Sequence, residues 1–338
     1  MKSQAFCGQP EILSVPFYCI RIFLFQRIIS NILQMDQGEK EKNMKHTKKY
    51  LLMCIEVIAA ILIIFLIFRL TADTKWEITQ YSDASESQAI FYTITSNKKD
   101  LVVIDGGVTA NAEKVREVIK KNGNHVDAWI LTHPHPDHIG AFNEIYAQPG
   151  KIKIDQIYDN GLDYEYYDTL DREWDNIGTY ATYLDLTSGD SRIKHVSRNT
   201  TLEIKDLTFE FMNTYDEISK EFKEDIGNDA SLVFKVSRKE GPKTMLFTGD
   251  CHSAVVSEYL IKEYGERLKA DYVQMGHHGN NTLPQEFYEY VNPSKACFDA
   301  PEWLVNGEQF TTKATQDYMR TMGAEVYDYT TSPNRLDF

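Results

Sequence analysis

His133-Pro134-His135-Pro136-Asp137-His138 places three histidines and an aspartate within six residues. The cluster follows directly on Val126-Asp127-Ala128-Trp129-Ile130-Leu131, a run that reads as a short buried strand. A fold that accommodates this stretch must bury the strand in a sheet and open the loop at the sheet's end. Imidazole and carboxylate together suit Zn²⁺, with Mn²⁺ or Fe²⁺ as alternative occupants. Two prolines stiffen the loop, so less ordering entropy is lost when a metal binds. Solvation of a polar surface loop is a poor explanation for ligands at this density.

Around the cluster, strand and helix patterns alternate. Gln88 to Thr95 and Leu101 to Ile104 read as strands separated by a polar turn, and the second stops at Asp105-Gly106-Gly107. Ala112 to Lys121 has helical periodicity and ends at Asn122-Gly123. Further strands are expected over Ile152 to Ile157, Leu202 to Ile204, Leu207 to Met212, Ser231 to Val236, Thr244 to Phe247, Ala270 to Gln274 and Lys295 to Phe298. Val255 to Tyr264, Pro284 to Val291 and Thr312 to Met322 read as helices. Strands before and between helices define an α/β (α+β layered) class. There are no internal sequence repeats.

The chain of 338 residues carries a net charge of -14, unevenly placed. Residues 1–70 sum to +4 and residues 71–338 to -18. The acidic part repels polyanions at long range, which argues against a nucleic-acid substrate. Residues 51–70 are apolar except for Glu56 and Arg69, long enough for one transmembrane helix. Lys40, Lys42, Lys45, Lys48 and Lys49 precede it, so the positive-inside rule puts residues 1–50 in the cytoplasm and the rest outside. The expected organisation is a cytoplasmic segment 1–50, a span 51–70, a linker 71–76 and a domain 77–338. The protein is then a single-pass component of the cell membrane with an extracellular domain. Val15 to Met35 is a weak second apolar segment, and translation is expected to begin at Met44. The five cysteines match neither a disulfide framework nor a Cys-rich zinc site, and Cys251 and Cys297 read as buried thiols.

A metal centre draws ligands from distant strand ends. Thr248-Gly249-Asp250 and Gly276-His277-His278-Gly279 each follow an expected strand. The order Asp-Gly-Gly, His-x-His-x-Asp-His, Gly-Asp, His-His-Gly resembles the metallo-β-lactamase superfamily. Asn228-Asp229-Ala230-Ser231-Leu232-Val233 and Val273-Gln274-Met275-Gly276-His277-His278-Gly279 look like the branch holding the ComEC-type competence protein hydrolase domain and the surface phosphorylcholine esterase.

The resemblance implies an αββα sandwich over about residues 77–338 and two Zn²⁺ ions. It implies that His133 and His135 bind the first metal, that Asp137, His138 and His278 bind the second, and that Asp250 bridges both. Asp137, His277 and Asp250 are the residues expected to act in catalysis, His277 by touching substrate or water. Asp105 is expected to orient a ligand histidine. One departure stands out: many relatives carry a further first-metal histidine where this chain has Asn228. His195 lies outside motif context and reads as structural.

The implied reaction is attack by a hydroxide shared between two metals on an ester, most suitably a phosphodiester. The substrate is then a small-molecule or cell-surface phosphodiester. Nuclease-like DNA scavenging, β-lactam or acyl hydrolysis, and a non-catalytic metal-stabilised binding module are the alternatives. Residues 158–183 interleave tyrosines and Trp174 with acids. They read either as a site for a cation or as a helical insertion with its aromatics packed inward.

Overall fold

The structure is a computed structural model and describes residues 37–71, 74–82, 86–170, 172, 175–222 and 225–338, with the side chains of 37–45 and 65–71 outside the description. The segment Val15 to Met35 lies outside the described residues. The chain divides into two units, Met1–Asp73 and Thr74–Phe338.

In the first unit, Gln37–Thr71 is a helix of 35 residues. Leu51, Leu52, Ile55, Ile61, Leu62 and Ile64 are exposed along it. Among the described residues, no helix is long and apolar enough to cross a membrane. The span expected over 51–70 therefore lacks support from them. Lys48, Lys49 and Glu56 interrupt the described stretch, and the side chains of 65–70 lie outside it.

The second unit is built on strands β1 (Trp76–Gln80), β2 (Phe91–Ser96), β3 (Leu101–Asp105), β4 (His125–Ile130), β5 (Lys153–Asp159), β6 (Ile193–His195) and β7 (Thr201–Ile204). It continues with β8 (Leu207–Asn213), β9 (Val233–Arg238), β10 (Thr244–Phe247), β11 (Tyr272–Gln274), β12 (Lys295–Cys297), β13 (Glu325–Tyr327) and β14 (Asn334–Asp337). Two sheets form, in the orders β14-β1-β2-β3-β4-β5-β6 and β13-β12-β11-β10-β9-β8-β7. In each, an antiparallel run up to β3 or β10 passes into parallel pairings. The topology is thus repeated although the sequence is not.

The strands are apolar throughout because both faces are covered. In β3, Val102 and Ile104 point between the sheets, where they join Tyr92, Ile130, Phe211, Phe234 and Phe247. Leu101 and Val103 point outward, with Trp129, to meet Val115 and Ile119 of the helix Ala112–Lys121 and Phe142 of the helix Pro136–Ala147. The second sheet repeats this with Leu246 and Val273 under Leu260 and Phe287 of the helices Ala254–Tyr264 and Gln285–Val291. The result is four layers, helix-sheet-sheet-helix.

Four strands were not expected: β1, β6, β13 and β14. They are short or largely polar, and they lie at or next to sheet edges. β9 begins two residues later than expected, because Ser231 still belongs to a turn and the Leu232 amide donates to Thr132 O at 2.9 Å. In 158–183 the helices Tyr164–Asp168 and Ile177–Thr187 bury Tyr167, Tyr180 and Tyr183 in the outer core. The inward-packed reading holds for these tyrosines, which leaves them unavailable to a ligand cation. Cys251 and Cys297 are buried free thiols.

Candidate metal centre

Parallel strands bring their carboxyl ends to one side of a sheet, and loops leaving those ends converge there. Asp105 ends β3, and the loop of His133 to His138 follows β4. Asp250 follows β10, the His277-His278 turn follows β11, and Asp299 follows β12. The first two come from one sheet and the last three from the other, so the cluster assembles only where both sheets meet.

Local sequence fixes the first loop. His135 is extended, and Pro136 opens the helix Pro136–Ala147, whose first turn contains Asp137. A proline at that position lacks an amide that would have no intrahelical partner anyway. Gly140 lets this helix sit close to the preceding loop, since a Cβ there would lie 2.6 Å from the Thr109 backbone nitrogen.

One ligand atom each from Asp137, His138, Asp250 and His278 lies within 4.8 Å of all the others. Asp250 Oδ2 stands 3.3 Å from His138 Nε2 and 3.2 Å from His278 Nε2. Asp137 Oδ2 is 3.1 Å from His278 Nε2. The His133 ring lies beside this group, its centroid 3.9 Å from that of His138 and 4.6 Å from that of His135. His133 Nε2, His138 Nε2, His278 Nε2 and Asp250 Oδ1 are buried without a hydrogen-bond partner. Each such atom costs about 1–3 kcal/mol. Their convergence fits a bound divalent cation, because imidazole nitrogen and carboxylate oxygen are its usual donors.

The other ends of these rings are held. Asp105 accepts from His138 Nδ1 at 2.8 Å and from the Thr132 amide and hydroxyl at 2.7 Å each. His278 Nδ1 donates to Asp299 O at 3.0 Å. His135 Nε2 is engaged by Tyr167 Oη at 3.0 Å and Asp175 Oδ1 at 3.2 Å, which leaves Nδ1 as its donor to a metal. Backbone strain also gathers here: Asp105, His277 and His278 adopt φ of 52°, 49° and 56°. Left-handed conformations at non-glycine residues cost of order 1–3 kcal/mol each and persist where surrounding structure imposes them.

Burial alone would depress His278, but Asp250 and Asp137 raise it to about 10. His138 is likewise raised against burial by Asp250, Asp105 and Asp137. Burial would raise Asp250, yet His278 and His138 hold it well below the ordinary carboxylate range. His133 differs: burial and the neighbouring His138 and His135 push it well below ordinary imidazole, which favours the neutral form that binds metal.

Of the residues singled out in sequence, Asp137, His138, Asp250 and His278 meet in one group, and His133 and His135 stand beside it. His277 lies apart from that group. Its Nδ1 donates to Asn280 O at 2.7 Å, and its ring stacks on His252 at 5.0 Å. His195 pairs with Asp159 at the end of β6, outside the cluster. Cys251 Sγ points to the carbonyls of Asn228 and Asp229.

Asp299, Asp225 and His252 were not singled out for the site, and Tyr167 and Asp175 only as part of the run 158–183, not as partners of His135. Asp299 had a signal, since it follows a short apolar strand as Asp105 and Asp250 do. The others meet the site only through tertiary packing.

Residues 86–154 match the family model of the metallo-beta-lactamase superfamily. Over 79% of this chain and 100% of the other, the structure is similar to the metallo-beta-lactamase fold protein YhfI from Bacillus subtilis, with 14% identity and a TM-score of 0.51. The fold is that of the metallo-beta-lactamase superfamily. Other similar structures are CmlA, a diiron β-hydroxylase from Streptomyces venezuelae, at 10% identity and TM-score 0.46 over 79% of this chain and 54% of that one. The Rm3 metallo-beta-lactamase follows at 15% and 0.38, over 60% and 84%. No curated protein matches. The metallo-beta-lactamase fold thus accounts for the two sheets, and the matched residues 86–154 include the loop of His133 to His138.

Proposed function

We propose that the domain is a divalent-metal-dependent hydrolase of esters whose substrate is a phosphodiester. The observation that carries this reading is the convergence of Asp137, His138, Asp250 and His278, with buried ligand atoms lacking any other partner. These four would hold one cation. His133, His135 and Asp250 Oδ1 would hold the other. Two bound cations would supply a water acidified toward neutrality and positive charge for a developing oxyanion.

The chain's own residues do the positioning. Asp105 and Asp299 fix the rings of His138 and His278. The Nδ1–H of His277 is committed to Asn280, so its Nε2 is left as an acceptor for a proton of the bound water. The net charge of -18 over residues 71–338 disfavours a polyanionic substrate over a small or surface-bound phosphodiester. The motif likeness to the ComEC-type domain and to the phosphorylcholine esterase supports the phosphodiester class.

The test is hydrolysis of bis-p-nitrophenyl phosphate by the full chain loaded with Zn²⁺ or Mn²⁺. A phosphorylcholine ester, single-stranded DNA and a chromogenic lactam are assayed beside it. Phosphodiester turnover that disappears in Asp137→Ala is expected. Turnover of the lactam alone, or full activity in Asp137→Ala, overturns the reading.

The anchoring part of the proposal rests on the exposed apolar residues of the helix Gln37–Thr71. Attachment through residues 51–70 would hold the domain at the outer face of the membrane. Recovery of the full chain in the soluble fraction after cell lysis would overturn it.

A further inference from the structure

We propose that the two metal positions bind with unequal strength, and that the amide oxygen of Asn228 completes the weaker one. This rests on the metal-dependent reading above and names which of its positions is filled last. The position of Asp137, His138, Asp250 and His278 has four protein ligands. Among the described residues, His133 and His135 belong to no comparable group, and of the four ligands of the first position only Asp250 has a second oxygen, buried and without a partner, to share with them.

The turn that carries Asn228 packs directly on His135. A Cβ at Gly227 would lie 2.9 Å from His135 Nε2 and 2.8 Å from Tyr167 Oη. The Asn228 side chain is fixed as well. Its Nδ2 donates to Asp225 Oδ2 at 3.0 Å, and because a carboxylate only accepts, the amide orientation is determined. The opposite end, Oδ1, is buried with no partner.

Asp229 also keeps one buried oxygen unpartnered. Its other oxygen accepts from the His252 and Ser253 amides at 3.1 Å each, which ties that carboxylate to the start of the helix Ala254–Tyr264. Both residues thus offer one free buried oxygen, and the packing of Gly227, the direct chain neighbour of Asn228, on His135 favours Asn228. An amide oxygen is a harder and weaker ligand than imidazole, so this position discriminates less for Zn²⁺ over Mn²⁺.

The experiment is calorimetric titration of the metal-free full chain with Zn²⁺ and with Mn²⁺. Two steps are expected, the first at least about tenfold tighter than the second. Asn228→Ala weakens the second step about tenfold and leaves the first in place. Asn228→His tightens the second step and favours Zn²⁺ there, and it retains a ligand should the alanine variant fold poorly. Two equal steps in the unmodified chain, or a second step indifferent to both substitutions, overturn the inference. A second step lost in Asp229→Asn but kept in Asn228→Ala also overturns it, in favour of Asp229. Absence of any binding would instead defeat the metal-dependent reading itself.

Discussion

Asp105 and His138 share a hydrogen bond of 2.8 Å between two fully buried groups, and Asp105 is at the same time fixed by both donors of Thr132. The carboxylate sets which nitrogen of His138 faces the cluster. Asp105→Asn presents an amide that can donate where only an acceptor is wanted. Metal affinity should fall by about 10–100-fold, as for other partners of ligand histidines. Titration with Zn²⁺ checks this, and an unchanged affinity refutes the orienting role.

His135 depends on Tyr167 in the same way. Tyr167→Phe keeps the buried ring and removes only the hydroxyl 3.0 Å from Nε2. The weaker metal step should lose on the order of tenfold in affinity while the tighter step holds. A uniform loss at both steps would point to a general packing defect instead.

Gly227→Ala should be harsh for its size. The added carbon would meet Tyr167, His135 and Asp175 together, and overpacking of this kind costs about 1–3 kcal/mol. A lower midpoint in thermal unfolding, with loss of the second metal step, is the expected pair of observations.

Arg198 and Asp216 form a two-point ion pair, Nε to Oδ2 at 2.7 Å and Nη2 to Oδ1 at 3.0 Å. Burial would raise Asp216, but Arg198 and the amides of Ser219 and Ile218 lower it below the ordinary value. A depressed folded-state pKa gives stability that is fully present above the unfolded value, near 4, and is lost as pH falls through the folded value. Asp216→Asn should therefore cost about 1.5–3 kcal/mol at pH 7 and progressively less in acid. Denaturant melts across pH 2–7 read this convergence, and parallel curves would rule it out.

The parts of the fold legible in the sequence were those with a strong local pattern. The helix Ala112–Lys121 and the strand Thr244–Phe247 were expected with the bounds they have, because amphipathic period and unbroken apolar runs leave little choice. β14, Asn334-Arg335-Leu336-Asp337, carries a single apolar residue and gains its identity from pairing with β1. No local reading reaches that far along the chain.

The candidate site divides in the same way. Its ligand loops are written next to their strands, so a strand followed by His or Asp could be read directly. The residues that aim those ligands could not. Tyr167 and Asp175 lie 32 and 40 positions from the histidine they hold. In sequence they were part of a run of aromatics and acids with two readings, and only packing told them apart. The unexpected left-handed backbone at His277 and His278 had no signal at all, since glycine flanks the pair on both sides and would have absorbed any such turn.

The cluster takes its ligands from both sheets, which gives it a second property. Its interatomic distances report how the two sheets are seated on each other. A small slide between them would spread Asp137 from His278 while the broad aromatic layer of Phe211, Phe234 and Phe247 could still repack. Metal uptake at this candidate site would then gauge alignment between the halves of the domain, and it should register a loosened interface before a melting curve does.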